Sequence, residues 1–196
     1  MSSSLSTNIQ QAWNRYLQEI ELAKNYHMPY LLNGFGNTFR NPLLDYLLPS
    51  LLYVKMAAIL DEALIFFIDD RDLSVPRKYN KSLRGRIKCL NDQSLIANYA
   101  ALNGVCDLRN LLAHEVSETT TWAILNTDLD AVENELQHLG FVKDRPIYEY
   151  FGECSAMRDC DEPGIAFSQD FRFGIKCNDR VTMEMAFTRK THNAGE

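Results

Sequence analysis

Three polar side chains lie within two turns of one predicted helix, close to its carboxyl end. They are Arg109, Asn110 and His114. A histidine with its ordinary pKa of about 6.5 can donate or accept a proton at neutral pH. Arginine carries a permanent positive charge on a planar fork that matches phosphate oxygens. This cluster is the best candidate in the chain for chemistry, and the chemistry suits a phosphate group.

The spacing of the cluster limits how its members can meet. Asn110 and His114 are four residues apart and share a helix face. Arg109 and His114 are five apart, which separates them by about 140° on an ideal helix. Arg109 therefore reaches the same space by its long stem, by fraying of the helix end, or across a dimer interface. A purely structural interpretation also stands, because arginine and histidine complement the negative end of a helix and asparagine forms local hydrogen bonds.

Positive charge is concentrated just before this helix. Residues 71–88 contain seven basic side chains and one acid, Asp72, so this segment carries +6 within a chain of net charge −6. The basic residues are Arg71, Arg77, Lys78, Lys81, Arg84, Arg86 and Lys88. Such segregation can direct a nucleic-acid backbone to one place on an otherwise acidic surface. A solvated helix face is the alternative.

Apolar side chains recur at helical spacing through the first two thirds of the chain. The helices are predicted at residues 6–25, 49–69, 81–90, 94–115 and 127–139. We start the second helix at Pro49 because proline is tolerated in a first turn, with a short turn of helix at residues 43–48 before it as the alternative. We start the fifth helix at Thr127 because Thr127 with Asp130 resembles a capping box. Gly140 is expected to end the fifth helix.

The pattern changes to a two-residue alternation after residue 142. Strands are predicted at residues 148–154, 170–177 and 181–188, with a turn at 178–180. The predicted fold is mainly α: a bundle of four to five helices over residues 1–141, followed by a small C-terminal antiparallel β-meander over 142–196 that packs on the bundle, α+β overall.

Residues 51–68 have the length of a membrane span but include Lys55, Asp61 and Glu62. Each charge near a membrane centre costs roughly 2.5–3.5 kcal/mol. We therefore predict a buried bundle helix, covered in part by a second chain, and no membrane segment. The amino terminus has no charged leader followed by an apolar run, so a cytoplasmic protein is expected.

The cysteines indicate reduced thiols rather than a disulfide framework, because their number is odd and they form no C-x-x-C pair. Cys154, Cys160, Cys177 and His192 could in principle hold zinc. Their spacing matches no compact ligand pattern, so we expect no metal and no other cofactor. A zinc hydrolase is the most distant of three functional hypotheses.

The run Arg109-Asn110-Leu111-Leu112-Ala113-His114, late in a helical bundle and after a short basic helix, resembles the HEPN superfamily. Its signature is an arginine, four to six residues beginning with a polar one, and a histidine. The resemblance covers roughly residues 5–140 and leaves the terminal strands unexplained. It implies a HEPN-like bundle, and a metal-independent endoribonuclease whose two motifs face each other in the cleft of a homodimer.

This resemblance implies a role for each candidate residue. His114 transfers protons, Arg109 stabilises phosphate charge, and Asn110 orients the histidine or holds a phosphate oxygen. The residues expected to grip flanking RNA backbone are Lys81, Arg84, Arg86 and Lys88. The leading hypothesis is an RNA endonuclease acting as a toxin or antiviral defence effector, with RNA and a second copy of the chain as partners.

One departure from the family bears on regulation. In the branch silenced by an adenylylating antitoxin, a tyrosine lies two residues beyond the histidine, whereas Glu115 and Val116 follow His114 here. That form of control is not expected, although another antitoxin or regulatory protein remains a possible partner. The second hypothesis is a catalytically inactive HEPN-like dimer that binds RNA, a nucleotide or a protein, with the meander as its recognition surface.

Overall fold

A computed structural model describes the backbone of residues 2–25, 42–115, 117–143, 145–154 and 165–192. Five helices and then three strands follow one another within these residues. They are α1 (Ser2–Asn25), α2 (Pro42–Asp70), α3 (Leu83–Asp92), α4 (Tyr99–His114), α5 (Trp122–His138), β1 (Tyr148–Cys154), β2 (Ile165–Cys177) and β3 (Arg180–His192). The mainly helical α+β fold predicted from the sequence is confirmed.

Helix α2 begins seven residues earlier than predicted. Pro42, not Pro49, occupies its first position, and Pro49 lies inside the helix. An internal proline removes one backbone hydrogen bond, so the predicted start was reasonable but wrong. Proline is favourable in the first turn of a helix because its backbone angle is fixed. Both prolines suit that position, and the helix begins at the earlier one.

Helix α4 begins at Tyr99, five residues later than predicted. The Asn98 side chain caps it by accepting a hydrogen bond of 3.3 Å from the Ala101 N–H. The preceding backbone is held by the buried carboxylate of Glu135 on α5, which accepts from the N–H groups of Ala97 at 3.1 Å and Asn98 at 3.3 Å. The start of α4 is thus fixed by a long-range contact that local sequence does not reveal.

Helix α5 begins at Trp122, capped by Thr121, whose side chain accepts a hydrogen bond of 3.3 Å from the Ile124 N–H. The predicted cap at Thr127 is wrong. That residue lies inside the helix, and its hydroxyl donates to the Ala123 carbonyl at 3.1 Å. Threonine hydroxyls form both kinds of bond, so composition alone does not distinguish them.

The predicted end of α5 at Gly140 is confirmed. Gly140 has a φ of +83°, a conformation that costs other residues more than glycine. Its N–H bonds to the Gln137 carbonyl at 3.0 Å, and the Phe141 N–H bonds to the Leu136 carbonyl at 2.9 Å. This pair of bonds is a Schellman motif, which satisfies carbonyls that the end of the helix would leave unpaired.

The chain divides into two compact units. The helical unit comprises Met1–Tyr16 and His27–Arg145, and the strand unit comprises Leu17–Tyr26 and Pro146–Glu196. In the helical unit, α2 contacts α3, α4 and α5. Its largest fully buried side chains are Trp13, Tyr16, Tyr53, Met56, Leu60, Leu64, Ile87, Leu90, Leu102, Leu125 and Leu136. None of the described helices is long and apolar enough to cross a membrane.

In the strand unit, the strands form one antiparallel sheet in the order β1-β2-β3, the meander that the alternating pattern predicted. Asn178 and Asp179 form the connection between β2 and β3, and both have positive φ, at 48° and 63°. Such angles are typical of tight hairpin turns. Arg180 pairs with Cys177 and therefore belongs to β3 rather than to the turn.

Candidate functional site

The helical unit contains a cavity of about 510 Å³ between α2, the beginning of α3 and α4. Five of the seven predicted site residues line this cavity. Its lining residues are Ala57, Ala58, Asp61, Glu62, Ile65, Lys81, Ser82, Leu83, Arg84, Arg86, Cys106, Arg109 and Asn110. The structure therefore brings the arginine and the amide of the signature together with the basic segment.

Arg109 and Asn110 act as one polar group on the wall of the cavity. Arg109 is half-buried, and its Nη1 donates a hydrogen bond of 3.0 Å to Asn110 Oδ1. This bond directs the guanidinium of Arg109 towards the amide of Asn110. Since Asn110 is exposed, the rest of its hydrogen-bonding capacity is open to a ligand or solvent.

His114 lies outside this group. It is the last residue of α4, it is exposed, and it does not line the cavity. A separation of four residues from Asn110 puts His114 about 6 Å further along the helix axis on nearly the same face. Within one chain, the proton-transfer candidate is therefore one helical turn away from the group that can hold a phosphate.

Arg86 is placed differently from the expectation. It is 5% exposed, and its Nε donates to Asp61 Oδ1 at 3.0 Å. Its two remaining nitrogens donate to the same carboxylate and to the Asn80 carbonyl. A buried guanidinium occupied in this way anchors α3 to α2 and does not fit the predicted grip on RNA backbone. Counting charges along a segment could not show which of them faces inward.

The other predicted backbone-binding residues are exposed. Lys81 and Arg84 line the cavity, and Arg84 also forms an ion pair with Asp107 on α4. Lys88 does not line the cavity, and its Nζ lies 5.9 Å from the centroid of the Tyr79 ring. A contact at this distance is a weak cation–π interaction that leaves the ammonium hydrated. Lys81 and Arg84 are thus the better placed of the three cations.

The structure adds residues that sequence reasoning missed. Asp61 and Glu62 line the cavity, although the sequence pointed only to charges interrupting an apolar helix. An acid inside an apolar run requires a partner when buried, and that signal could have identified Asp61 as the partner of a basic residue. Among the six charged residues of the lining, four are positive and two are negative, a net +2 that favours an anionic ligand.

Cys106 also lines the cavity and is 2% exposed. Burial raises the pKa of its thiol to about 11, although the nearby positive charges of Arg84 and Arg109 lower that pKa and the negative charge of Asp61 raises it. The thiolate is the nucleophilic form of cysteine, so this thiol is unreactive at neutral pH. The cavity can therefore hold an anion, but it has no activated thiol.

The zinc hypothesis draws on residues at the end of the chain. In the part of the chain that the structure describes, no group of three or more histidine, cysteine, aspartate or glutamate residues could hold a metal ion. Cys177 is half-buried there. Cys160 and the side chains of Cys154 and His192 lie outside the described residues.

Comparisons of the chain with protein-family models, with curated proteins and with solved structures give no match. The likeness to the HEPN superfamily therefore rests on the Arg-x4-His run and its helical setting.

Proposed function

We propose that the chain is a metal-independent RNA endonuclease of the HEPN type. It acts in the cytoplasm as a homodimer with a composite Arg/His site, as a toxin or antiviral defence effector. The observation that carries this proposal is the positive cavity in which Arg109 and Asn110 meet Lys81 and Arg84, one helical turn from His114. The cations and the amide suit binding of a phosphate, and the histidine suits proton transfer from and to the oxygens on either side of the phosphorus.

The chemistry uses the 2′-hydroxyl of the RNA itself. A neutral histidine removes the proton of the hydroxyl, whose oxygen attacks the adjacent phosphorus. The bond from phosphorus to the 5′-oxygen breaks, and a protonated histidine supplies a proton to that oxygen, leaving a 2′,3′-cyclic phosphate and a 5′-hydroxyl. Arg109 stabilises the charge that develops on the phosphorane. Each chain supplies one His114, so the dimer supplies both base and acid.

The test is cleavage of RNA in EDTA by purified protein. His114→Ala and Arg109→Ala should each lose cleavage by about 100-fold or more, the usual contribution of an acid–base or charge-stabilising group. His138→Ala is the matched control, because His138 is also the exposed last residue of a helix, α5. Undiminished cleavage by the His114→Ala protein rejects the proposed mechanism.

A second candidate function is favoured by the distance between His114 and the cavity. A HEPN-like dimer that is catalytically inactive would still bind RNA or a nucleotide through Arg109, Asn110 and Lys81, or bind a protein partner such as an antitoxin. Binding of labelled RNA without cleavage, weakened by Arg109→Ala but not by His114→Ala, would select this function over the nuclease.

A further inference from the structure

One face of α2 remains exposed although most of that helix is apolar. The face is formed by Leu51, Lys55, Ala58, Glu62 and Ile65, which alternate in steps of four and three residues and so lie along one side of the helix. We refer to these five residues as the α2 stripe. Leu51 is 56% exposed and Ile65 is 40% exposed, high values for large apolar side chains, whereas the side chains between residues 52 and 68 that lie outside the α2 stripe are buried or half-buried. Leu47, one turn before Leu51, is also exposed, at 53%.

The α2 stripe is complementary to itself when a second copy is turned by a two-fold rotation. For an antiparallel pair of α2 helices with the axis at Ala58, Leu51 lies seven residues before the axis and Ile65 seven after it, so the two apolar side chains face each other. Lys55 lies three residues before the axis and Glu62 four after it, a mismatch of about 1.5 Å along the helix. Apolar residues therefore face apolar ones, and the two-fold rotation gives two equivalent pairs of opposite charges.

We propose that the α2 stripe is the surface through which two copies of this chain associate, with their α2 helices antiparallel. This inference rests on the proposed function and names the surface that joins the two copies. A second copy is favoured over an unrelated partner because, over residues 51–65, both the apolar pattern and the charges match under a single two-fold operation. An isologous interface requires such self-complementarity, whereas a surface for another protein does not.

The same interface completes the cavity. Ala58, Glu62 and Ile65 belong both to the α2 stripe and to the cavity lining, so the second helix lies along one border of the cavity. Lys55 of the second copy neutralises Glu62, the acid of the lining that is not held by Arg86. The cavity then becomes more positive in the dimer than in the monomer, and it binds an anionic phosphate more tightly.

The charges provide a specific test, with the dissociation constant measured by sedimentation of the full chain over a range of concentrations. Lys55→Glu or Glu62→Lys alone puts like charges opposite each other, and each should raise the dimer Kd about tenfold or more. The double variant Lys55→Glu/Glu62→Lys restores opposite charges and should return the Kd to within about threefold of the wild type. Lys143→Glu reverses the charge of an exposed residue outside the α2 stripe and should leave the Kd unchanged.

Rescue in the double variant cannot come from a pair between residues 55 and 62 of one chain, because they are about 10.5 Å apart along the same helix. A second measurement does not depend on charge. Ala58→Cys puts a thiol at the axis, and mild oxidation should link two chains through it, whereas Ala123→Cys on the exposed surface of α5 should not give a linked dimer.

A chain that is monomeric at every concentration overturns the inference. So does a dimer that tolerates both single reversals, or one that the double variant fails to restore. These outcomes can be distinguished from failure of the cleavage test. If the dimer has these properties but leaves RNA intact, the proposed interface stands and only the proposed nuclease is rejected. A monomer that cuts RNA rejects the interface and the composite site with two histidines, but not the nuclease activity.

Discussion

Helices α4 and α5 end in the same sequence pattern but differ in what surrounds it. Each carries an asparagine four residues before a histidine that is its last residue: Asn110 with His114 in α4, and Asn134 with His138 in α5. All four side chains are exposed. The pattern of an amide and a histidine near a helix end therefore occurs in both α4 and α5 and cannot by itself identify a site.

The residue before the asparagine distinguishes the two helix ends. In α4 it is Arg109, which lines the cavity and bonds to the neighbouring amide. In α5 it is Glu133, which is 5% exposed and accepts a hydrogen bond of 2.9 Å from Trp13 Nε1, while Arg145 Nε lies 3.2 Å from its other oxygen. The charged residue near the α5 end, Glu133, is thus buried and paired in the core. The charged residue near the α4 end, Arg109, lines a cavity that a ligand can enter.

The largest effect that tests this comparison is on stability. Glu133→Ala should lower the free energy of unfolding by about 3 kcal/mol, because it leaves the buried Trp13 N–H without its acceptor and opens a small cavity. Arg109→Ala should change it by no more than about 0.5–1 kcal/mol. Urea denaturation followed by tryptophan fluorescence measures both. Equal losses for the two variants would show that the arginine is also structural.

An intermediate effect concerns pH. The pKa of Cys106 is raised from 9.0 to about 11 in the folded chain, chiefly by burial. The thiol therefore ionises at a lower pH in the unfolded chain than in the folded chain. Because of this difference, about 2 kcal/mol of the free energy of unfolding that is present below pH 9 is lost as the pH rises to 11. Cys106→Ala should remove that part of the alkaline loss, as measured by urea denaturation between pH 8 and 11. If the dependence of stability on pH is the same in the variant and the wild type, the Cys106 thiol is hydrated rather than buried.

The smallest effect distinguishes how the two helices end. Gly140 beyond α5 has a φ of +83°, whereas Glu115 at the end of α4 has a φ of −105°, which any residue adopts. Gly140→Ala should therefore cost about 1 kcal/mol in the free energy of unfolding, from backbone strain. Glu115→Gly should change it by about 0.5 kcal/mol or less. Thermal unfolding of the two variants gives the comparison, and equal shifts in Tm would contradict it.

Much of the fold could be predicted because its signals are local. Alternation identified β2 and β3, and the third predicted strand, β1, has the predicted bounds. Gly140 marked the end of α5 because its backbone freedom suits a positive φ. The helix starts were harder to predict. Thr121 and Thr127 are equally good caps by composition, and Pro42 and Pro49 are equally good first residues, so contacts elsewhere in the chain decide between them.

The candidate site could be predicted only as a list of residues. The sequence selected Arg109 and Asn110, and it found the basic segment that supplies Lys81 and Arg84. It could not show that Arg86 turns inward to Asp61, because that depends on how α3 packs against α2. Angular arithmetic on one helix describes which residues share a face, but it does not describe the cavity that another helix closes.

The buried Glu135 carboxylate has a consequence for how α4 moves. By holding the N–H groups of Ala97 and Asn98, it clamps the amino end of α4 to α5, while the last turns of α4 are half-buried or exposed and end at an extended residue, Glu115. Backbone hydrogen bonds with little cover open most readily. We therefore expect α4 to open first from its carboxyl end, so that His114 has a wider range of motion than Arg109 and Asn110, which lie further from that end.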